Sequence, residues 1–206
     1  MDRALTLGPA RRGLFLAPLL AVVVVDQASK WWAWRHVPQA QINYGGDVLV
    51  GATLSRWYAG PATGALLDLL DVGLLCLAVA LLVRRRRPAR VLVTGALTLG
   101  GWVSNLLDRL GLHYLTAPGS VRGAVDFLPL GQIRYNVADL FIIGGTLLFL
   151  VAAASRARTR SAAPVARRRV PGWIPAAAVA CLVVAAGAGA VNDNGTTVPE
   201  TVAATP

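Results

Sequence analysis

Five stretches of this 206-residue chain, residues 13–34, 64–83, 91–107, 135–155 and 172–191, are apolar over a length that crosses a lipid bilayer. A spanning helix needs about 20 such residues, because the hydrocarbon core is roughly 30 Å thick and each helical residue rises about 1.5 Å. Inside lipid the backbone must satisfy its own hydrogen bonds, so runs of this length predict helices. The predicted fold class is an all-α membrane protein with a four-helix transmembrane core. An additional C-terminal transmembrane helix and a small extracellular segment between helices one and two complete it. Only 15% of the residues are charged, against roughly 25% in a water-soluble domain, and water is therefore not the main solvent.

The basic residues set the expected orientation, because Arg and Lys collect on the cytoplasmic side. With the N-terminus inside, fourteen of the twenty bases fall on inner segments, at 3–12, 84–90 and 156–169. The other six, Lys30, Arg35, Arg56, Arg109, Arg122 and Arg134, fall outside. This divides the chain into a cytoplasmic N-terminus (1–12), a four-helix membrane domain (13–155), a basic cytoplasmic linker (156–171), the extra helix (172–191) and a disordered extracytoplasmic tail (192–206). The first run reads as a retained anchor, since Asp26, Lys30 and the interfacial Trp31, Trp32 and Trp34 follow it in place of a small-residue cleavage site. The net charge of +10 is clustered between apolar runs, not spread over one face with interleaved aromatics, so no nucleic-acid partner is expected. Cys76 and Cys181 sit in the middle of apolar runs and are expected to act as small buried apolar side chains.

Charge inside hydrocarbon is costly, so each ionisable residue near a span needs a partner or a purpose. Asp26 lies within the first helix, and Lys30 follows at i+4, the favourable acid-first order. Two readings stay open for them: a self-neutralised pair that locks the helix end, or a direct functional role. The third span ends in Asn105-Leu106-Leu107-Asp108-Arg109, which puts Asn105, Asp108 and Arg109 on one face. A solvated helix terminus accounts for Arg109, whereas Asn105 at the hydrocarbon edge calls for a partner on another helix. The fourth span opens with Asn136-Val137-Ala138-Asp139, where Asn136 and Asp139 share a face. Asp126 precedes it, and the stretch between contains Pro129 and Gly131 and can double back, so that Asp126 and Asp139 can face one another. Two apposed carboxylates at a low-dielectric boundary share one proton, one serving as base and the other as acid, and such a pair can activate water against an amide.

Taken in order, Asp26-Gln27-Ala28-Ser29-Lys30, Gly100-Gly101 with Asn105 and Asp108-Arg109, Val125-Asp126-Phe127, and Asn136-Val137-Ala138-Asp139 resemble the signature blocks of the lipoprotein signal peptidase (signal peptidase II) family over residues 13–155. The resemblance implies a membrane aspartyl endopeptidase of the bacterial cell membrane. It would remove signal peptides from prolipoproteins before a diacylglyceryl-modified cysteine, at the outer leaflet. It further implies Asp126 and Asp139 as the catalytic dyad, Asn105, Arg109 and Asn136 as residues orienting dyad and substrate, and Asp26 and Lys30 as support. The implied partners are the lipidated precursors and membrane lipids; a monomer is expected, with no metal and no organic cofactor. The segment 35–63 would form a cradle over the peptide. The chain departs from the family pattern at Tyr58-Ala59-Gly60-Pro61-Ala62-Thr63-Gly64, where the asparagine of a block before helix two is absent, and a lost substrate-side contact is expected there. The segment 108–126 is also longer, and 126–139 shorter, than the family pattern, and these departures motivate an alternative, a signal-peptidase-like protein that binds lipidated or apolar peptides without cutting them. A small transporter is disfavoured, since neither repeat symmetry nor a broken-helix pair is present.

Overall fold

The structure is a computed structural model that describes residues 9–44, 56–83, 87–131 and 133–161. The expected fifth helix and the C-terminal tail lie outside the described residues. Within them, four helices are long and apolar enough to cross a membrane, which makes this a multi-pass membrane protein. They are α1 (Pro9–His36), α2 (Pro61–Val83), α3 (Ala89–Leu107) and α4 (Val137–Ser161). Helix α4 continues past residue 155 into the segment read as linker.

Helix α3 does not stop where its apolar run ends. It continues through a π-helical turn, Asp108–Leu112, and a last α turn, His113–Thr116. Gly111, at φ 121° and ψ −6°, permits the kink that joins the two turns. A π turn rotates the residues beyond it relative to the α-helical face, and such insertions are frequent at functional sites. Asp108 and Arg109, at the start of this segment, are both buried, and Arg109 is not the solvated helix end that was expected.

Among the described residues, four short strands accompany the helices: β1 (Gln41–Asn43), β2 (Ala124–Asp126), β3 (Leu128–Leu130) and β4 (Ile133–Tyr135). Strands β1 and β2 pair antiparallel, with Ile42 opposite Val125; β3 and β4 form the doubling-back between the two aspartates, with Pro129 opposite Arg134. The helical periodicity gave no notice of β1 and β2, since a three-residue strand is too short to show alternation.

Helix α3 is central: more than half of the residues in its most apolar stretch are buried, far more than in α1, α2 or α4. Its double glycine explains how it fits between two partners. A Cβ on Gly100 would come within 2.9 Å of the Leu19 carbonyl of α1, and one on Gly101 within 2.5 Å of the Ala138 carbonyl of α4. Small residues at such crossings let helix backbones approach closely in lipid. Because the Gly101 clash is with backbone, Gly101→Ala is expected to destabilise the protein by about 1–3 kcal/mol despite alanine's better helix propensity. Gly144→Ala, whose Cβ would meet nothing within 4 Å, should be neutral or mildly stabilising, and thermal unfolding of the two variants in detergent compares them directly.

Two apolar clusters bracket the interior. One joins Phe15 and Leu19 of α1, Leu82 of α2, Leu92, Ala96 and Leu99 of α3, and Ala152 of α4. The other, at the strand-bearing end, joins Ala33, Ala117, Val125 and Phe127. Between them lies a polar layer, and Lys30, Asp26, Asp108, Asp126, Asn136 and Ser104 are among the largest fully buried side chains. Cys76, expected to be buried, is exposed on α2, on a helix whose other exposed residues, such as Leu74 and Leu77, are lipid-compatible. For an apolar thiol in a bilayer the surrounding medium is hydrocarbon, so this exposure carries no penalty.

Candidate active site

The buried ammonium of Lys30 organises the polar layer. Its Nζ lies 2.6 Å from Asp26 Oδ2 and 2.7 Å from Asp108 Oδ2, and it donates at 2.7 Å to Asn105 Oδ1. Every one of these groups is at least nine-tenths buried. Since the Asn105 carbonyl oxygen is taken by Lys30, its amide NH2 must point the other way, and it donates to Asp139 Oδ1 at 2.9 Å. Asp26 accepts in turn from Ser104 Oγ at 2.7 Å and from the Ala138 backbone N–H at 2.7 Å. The latter N–H belongs to the first turn of α4, where backbone donors have no partner within the helix, so a carboxylate from α1 caps α4 beside Asp139.

Asn136 locks the start of α4 from the other side. Its Oδ1 accepts the Asp139 N–H at 3.0 Å while Asp139 Oδ2 accepts the Asn136 N–H at 3.0 Å. This reciprocal exchange is a capping box with aspartate in the glutamate position. With its oxygen engaged, the Asn136 amide NH2 is turned to donate to Asp126 Oδ1 at 2.6 Å. One residue thus touches both carboxylates. The approach depends on the β3–β4 hairpin, extended by a 2.9 Å bond from Phe127 N to Tyr135 O, which folds Asp126 back onto Asn136.

Asp126 is almost wholly buried and Asp139 is half-buried, so the pair has one enclosed and one accessible member. Burial above all, and then repulsion from Asp139, push the Asp126 carboxyl from 3.8 up to about 7, against the opposing pull of Asn43, Lys30 and Asn136. At neutral pH this position therefore keeps a proton far more readily than an ordinary aspartate does. Together the two carboxylates can do general acid and general base work on one water.

Of the residues singled out in the sequence, Asp26, Lys30, Asn105, Asn136, Asp126 and Asp139 form one connected network. Arg109 does not reach it. Its guanidinium pairs with Asp68 (Nε to Oδ1, 2.9 Å) and Asp71 (Nη2 to Oδ2, 2.6 Å) of α2, and among the described residues it bonds to neither Asp126 nor Asp139. Asn43, not among the residues expected from the sequence, donates its amide to Asp126 Oδ2 at 2.9 Å. The β1–β2 register brings Asn43 within reach of Asp126. The signal that could have found it is Asn43-Tyr44-Gly45, an Asn-x-Gly start ahead of helix two like that of the block absent at 58–64. Asp68 and Asp71 were legible in principle, as two acids one helical turn apart inside an apolar run.

Among the described residues no group of three or more His, Cys, Asp or Glu side chains is placed to hold a metal ion. A family model described as signal peptidase (SPase) II matches residues 19–155, a segment that runs from α1 into α4 and contains every residue of this network. No curated protein matches the chain.

Proposed function

We propose, from the premise that this chain belongs to the signal peptidase II family, that it is a membrane aspartyl endopeptidase using Asp126 and Asp139 as its dyad. Membership places it among the aspartic peptidases of lipoprotein processing, embedded in a membrane. The finer reading is that it cuts signal peptides from prolipoproteins just before the diacylglyceryl-cysteine. The N-terminus would be cytoplasmic and the dyad at the outer leaflet of the bacterial cell membrane. The single observation that carries it is that both carboxylates receive amide donors whose orientation is fixed, by Lys30 on Asn105 and by the helix cap on Asn136. Fixed donors of this kind need no reorganisation during reaction.

In the proposed reaction Asp139, the accessible member, is the base. It takes a proton from water as the water oxygen bonds to the scissile carbonyl carbon. Asp126, the protonated member, gives its proton to the carbonyl oxygen, producing an uncharged tetrahedral diol. Collapse returns a hydroxyl proton to Asp126 while the proton on Asp139 passes to the departing amide nitrogen, and the dyad regains its single proton. The second reading, binding without cleavage, keeps its motives in the absent block and the altered segment lengths around the dyad; the Asn43 amide on Asp126 favours cleavage over it, since it adds a donor to the dyad.

Expression in a bacterial strain depleted of its own lipoprotein signal peptidase tests the proposal. Wild-type protein is expected to restore conversion of lipidated precursor to mature lipoprotein, and Asp139→Asn to leave the precursor uncut. Equal processing by both would remove Asp139 from the mechanism.

A further inference from the structure

Helix α2 carries two acids that the reaction does not use. Asp68 is 3% exposed in an otherwise apolar helix, a position that a carboxylate keeps only with strong partners. Both of its oxygens are engaged: Oδ1 by Arg109 Nε at 2.9 Å and Oδ2 by Arg122 Nη2. Asp71 accepts from Arg109 Nη2 at 2.6 Å and from the Tyr58 hydroxyl at 3.1 Å. The Arg109 guanidinium also lies 5.2 Å from the centre of the Tyr58 ring. Two acids and two arginines make the group electrically neutral. The Tyr58 hydroxyl, pushed up to about 12 by burial first and by Asp71 second, remains a donor.

Arg122 gives this cluster its reach. Beyond Asp68, it donates from Nε to the Arg109 carbonyl at 3.0 Å and from Nη1 to the Tyr58 carbonyl at 2.6 Å. Its guanidinium is thus fastened to α2, to the π turn of α3 and to the turn before α2. Close packing is needed for this: a Cβ on Gly64 would come within 2.5 Å of Arg122 Nη1. On the far side of Arg122 the chain enters β2. Gly123, at φ 153°, presses against β1, where a Cβ would lie 2.5 Å from the Asn43 carbonyl, and Asp126 ends the strand. Strand β2 is only three residues long, so pairing with β1 alone cannot fix it firmly.

We propose that Asp68, acting through Arg122 and Arg109, is a positioning residue for the dyad: the ionic bracket anchors the approach to β2 and thereby sets where Asp126 stands relative to Asp139. The inference rests on the proteolytic reading for its catalytic consequence, but its mechanical part does not. Asp68→Asn keeps shape and one acceptor while removing the charge that holds two arginines. The bracket then loosens, and with it the strand. A misplacement on the order of 1 Å at a reacting group costs on the order of 100-fold in rate.

The test uses full-length protein in lipid nanodiscs, with two readouts on each variant. Hydrogen–deuterium exchange over residues 120–127 reports on the strand, and cleavage of a lipidated precursor gives kcat and KM separately. For Asp68→Asn we expect faster exchange in 120–127 with α1 unchanged, and kcat lowered on the order of 100-fold with KM within a few-fold. Asp68→Glu, which keeps the charge, should recover a large part of kcat. Arg122→Gln should repeat the Asp68→Asn pattern, and it serves as the deciding variant if Asp68→Asn fails to fold. Unchanged exchange and unchanged kcat in either folded variant, or a change confined to KM, would overturn the proposal. If wild-type protein itself leaves the precursor uncut, the proteolytic reading fails, while the exchange comparison still decides whether the bracket holds β2.

Discussion

Replacing Asp126 by asparagine is expected to slow precursor cleavage by orders of magnitude and, in the same protein, to raise stability above neutral pH. The two effects have one origin. Burial and the Asp139 charge lift the Asp126 carboxyl from 3.8 to about 7, so the folded state binds a proton here more tightly than the unfolded chain does. Between about pH 4 and 7 the folded protein keeps a proton that the unfolded chain has released, and stability falls as pH rises through that window. Above it the full cost of a buried carboxylate is present, about 4 kcal/mol, since each tenfold gain in proton affinity corresponds to about 1.4 kcal/mol. Asparagine cannot ionise, so the variant should lose this pH dependence. It gains up to about 4 kcal/mol at pH 8, less about 1 kcal/mol because its NH2 must face one of the Asn43 or Asn136 donors, and at pH 4 only that cost of about 1 kcal/mol is left. Cleavage should fall on the order of 10²–10⁴-fold with loss of the acid. Wild-type cleavage should itself decline as pH rises past about 7, when the shared proton leaves. Unfolding in detergent at pH 4.5 and 8, alongside a gel-based cleavage assay across that range, measures all of this. A variant that parallels wild type in its pH dependence of stability would show that Asp126 is not the proton-holding group.

The second large effect concerns Lys30. With Lys30→Met, Asp26 and Asp108, each fully buried, lose the only cation among the described residues that lies within hydrogen-bond reach of both. Breaking a buried ion pair from one side costs about 3–5 kcal/mol, because the remaining charge is left without compensation. The variant is expected to unfold at markedly lower temperature and to accumulate poorly in membranes. Neutralising the partners as well, in Lys30→Met with Asp26→Asn and Asp108→Asn, should recover much of the stability, since burying no charge is often as favourable as burying a paired one. Activity should not return. Lys30 is what holds the Asn105 oxygen and so turns the amide NH2 toward Asp139. In the triple variant that amide can flip, and Asp26 no longer offers a carboxylate to the Ala138 N–H. Recovery of full cleavage together with stability would mean that the layer is structural only. Circular dichroism melts and the precursor assay separate the two outcomes.

The membrane character and the helices were legible because spanning a bilayer imposes a length and an apolarity that local sequence must display. The proposed dyad and its neighbours were legible for a related reason: a polar group in hydrocarbon is so costly that Asp26, Lys30, Asn105, Asn136 and Asp139 draw attention wherever they occur. The same rule applied to the second run would have marked Asp68 and Asp71. Asn43 and Arg122 had no such mark. Both lie in polar segments between helices, where an amide or a guanidinium is ordinary, and only strand register and long-range folding give them partners.

By itself, then, the sequence determined the solvent of this chain, the number and order of the helices among its described residues, and which side chains could not stand alone. The direction in which those side chains were paired was left to the tertiary structure. Arg109 follows Asp108 directly, yet Asp108 turns to Lys30 and Arg109 to α2, because consecutive helical residues point about 100° apart and α2 supplies the acids. Periodicity describes one helix at a time, whereas a charge in low dielectric is placed by whichever neighbours, from anywhere in the chain, bring an opposite charge within about 3 Å.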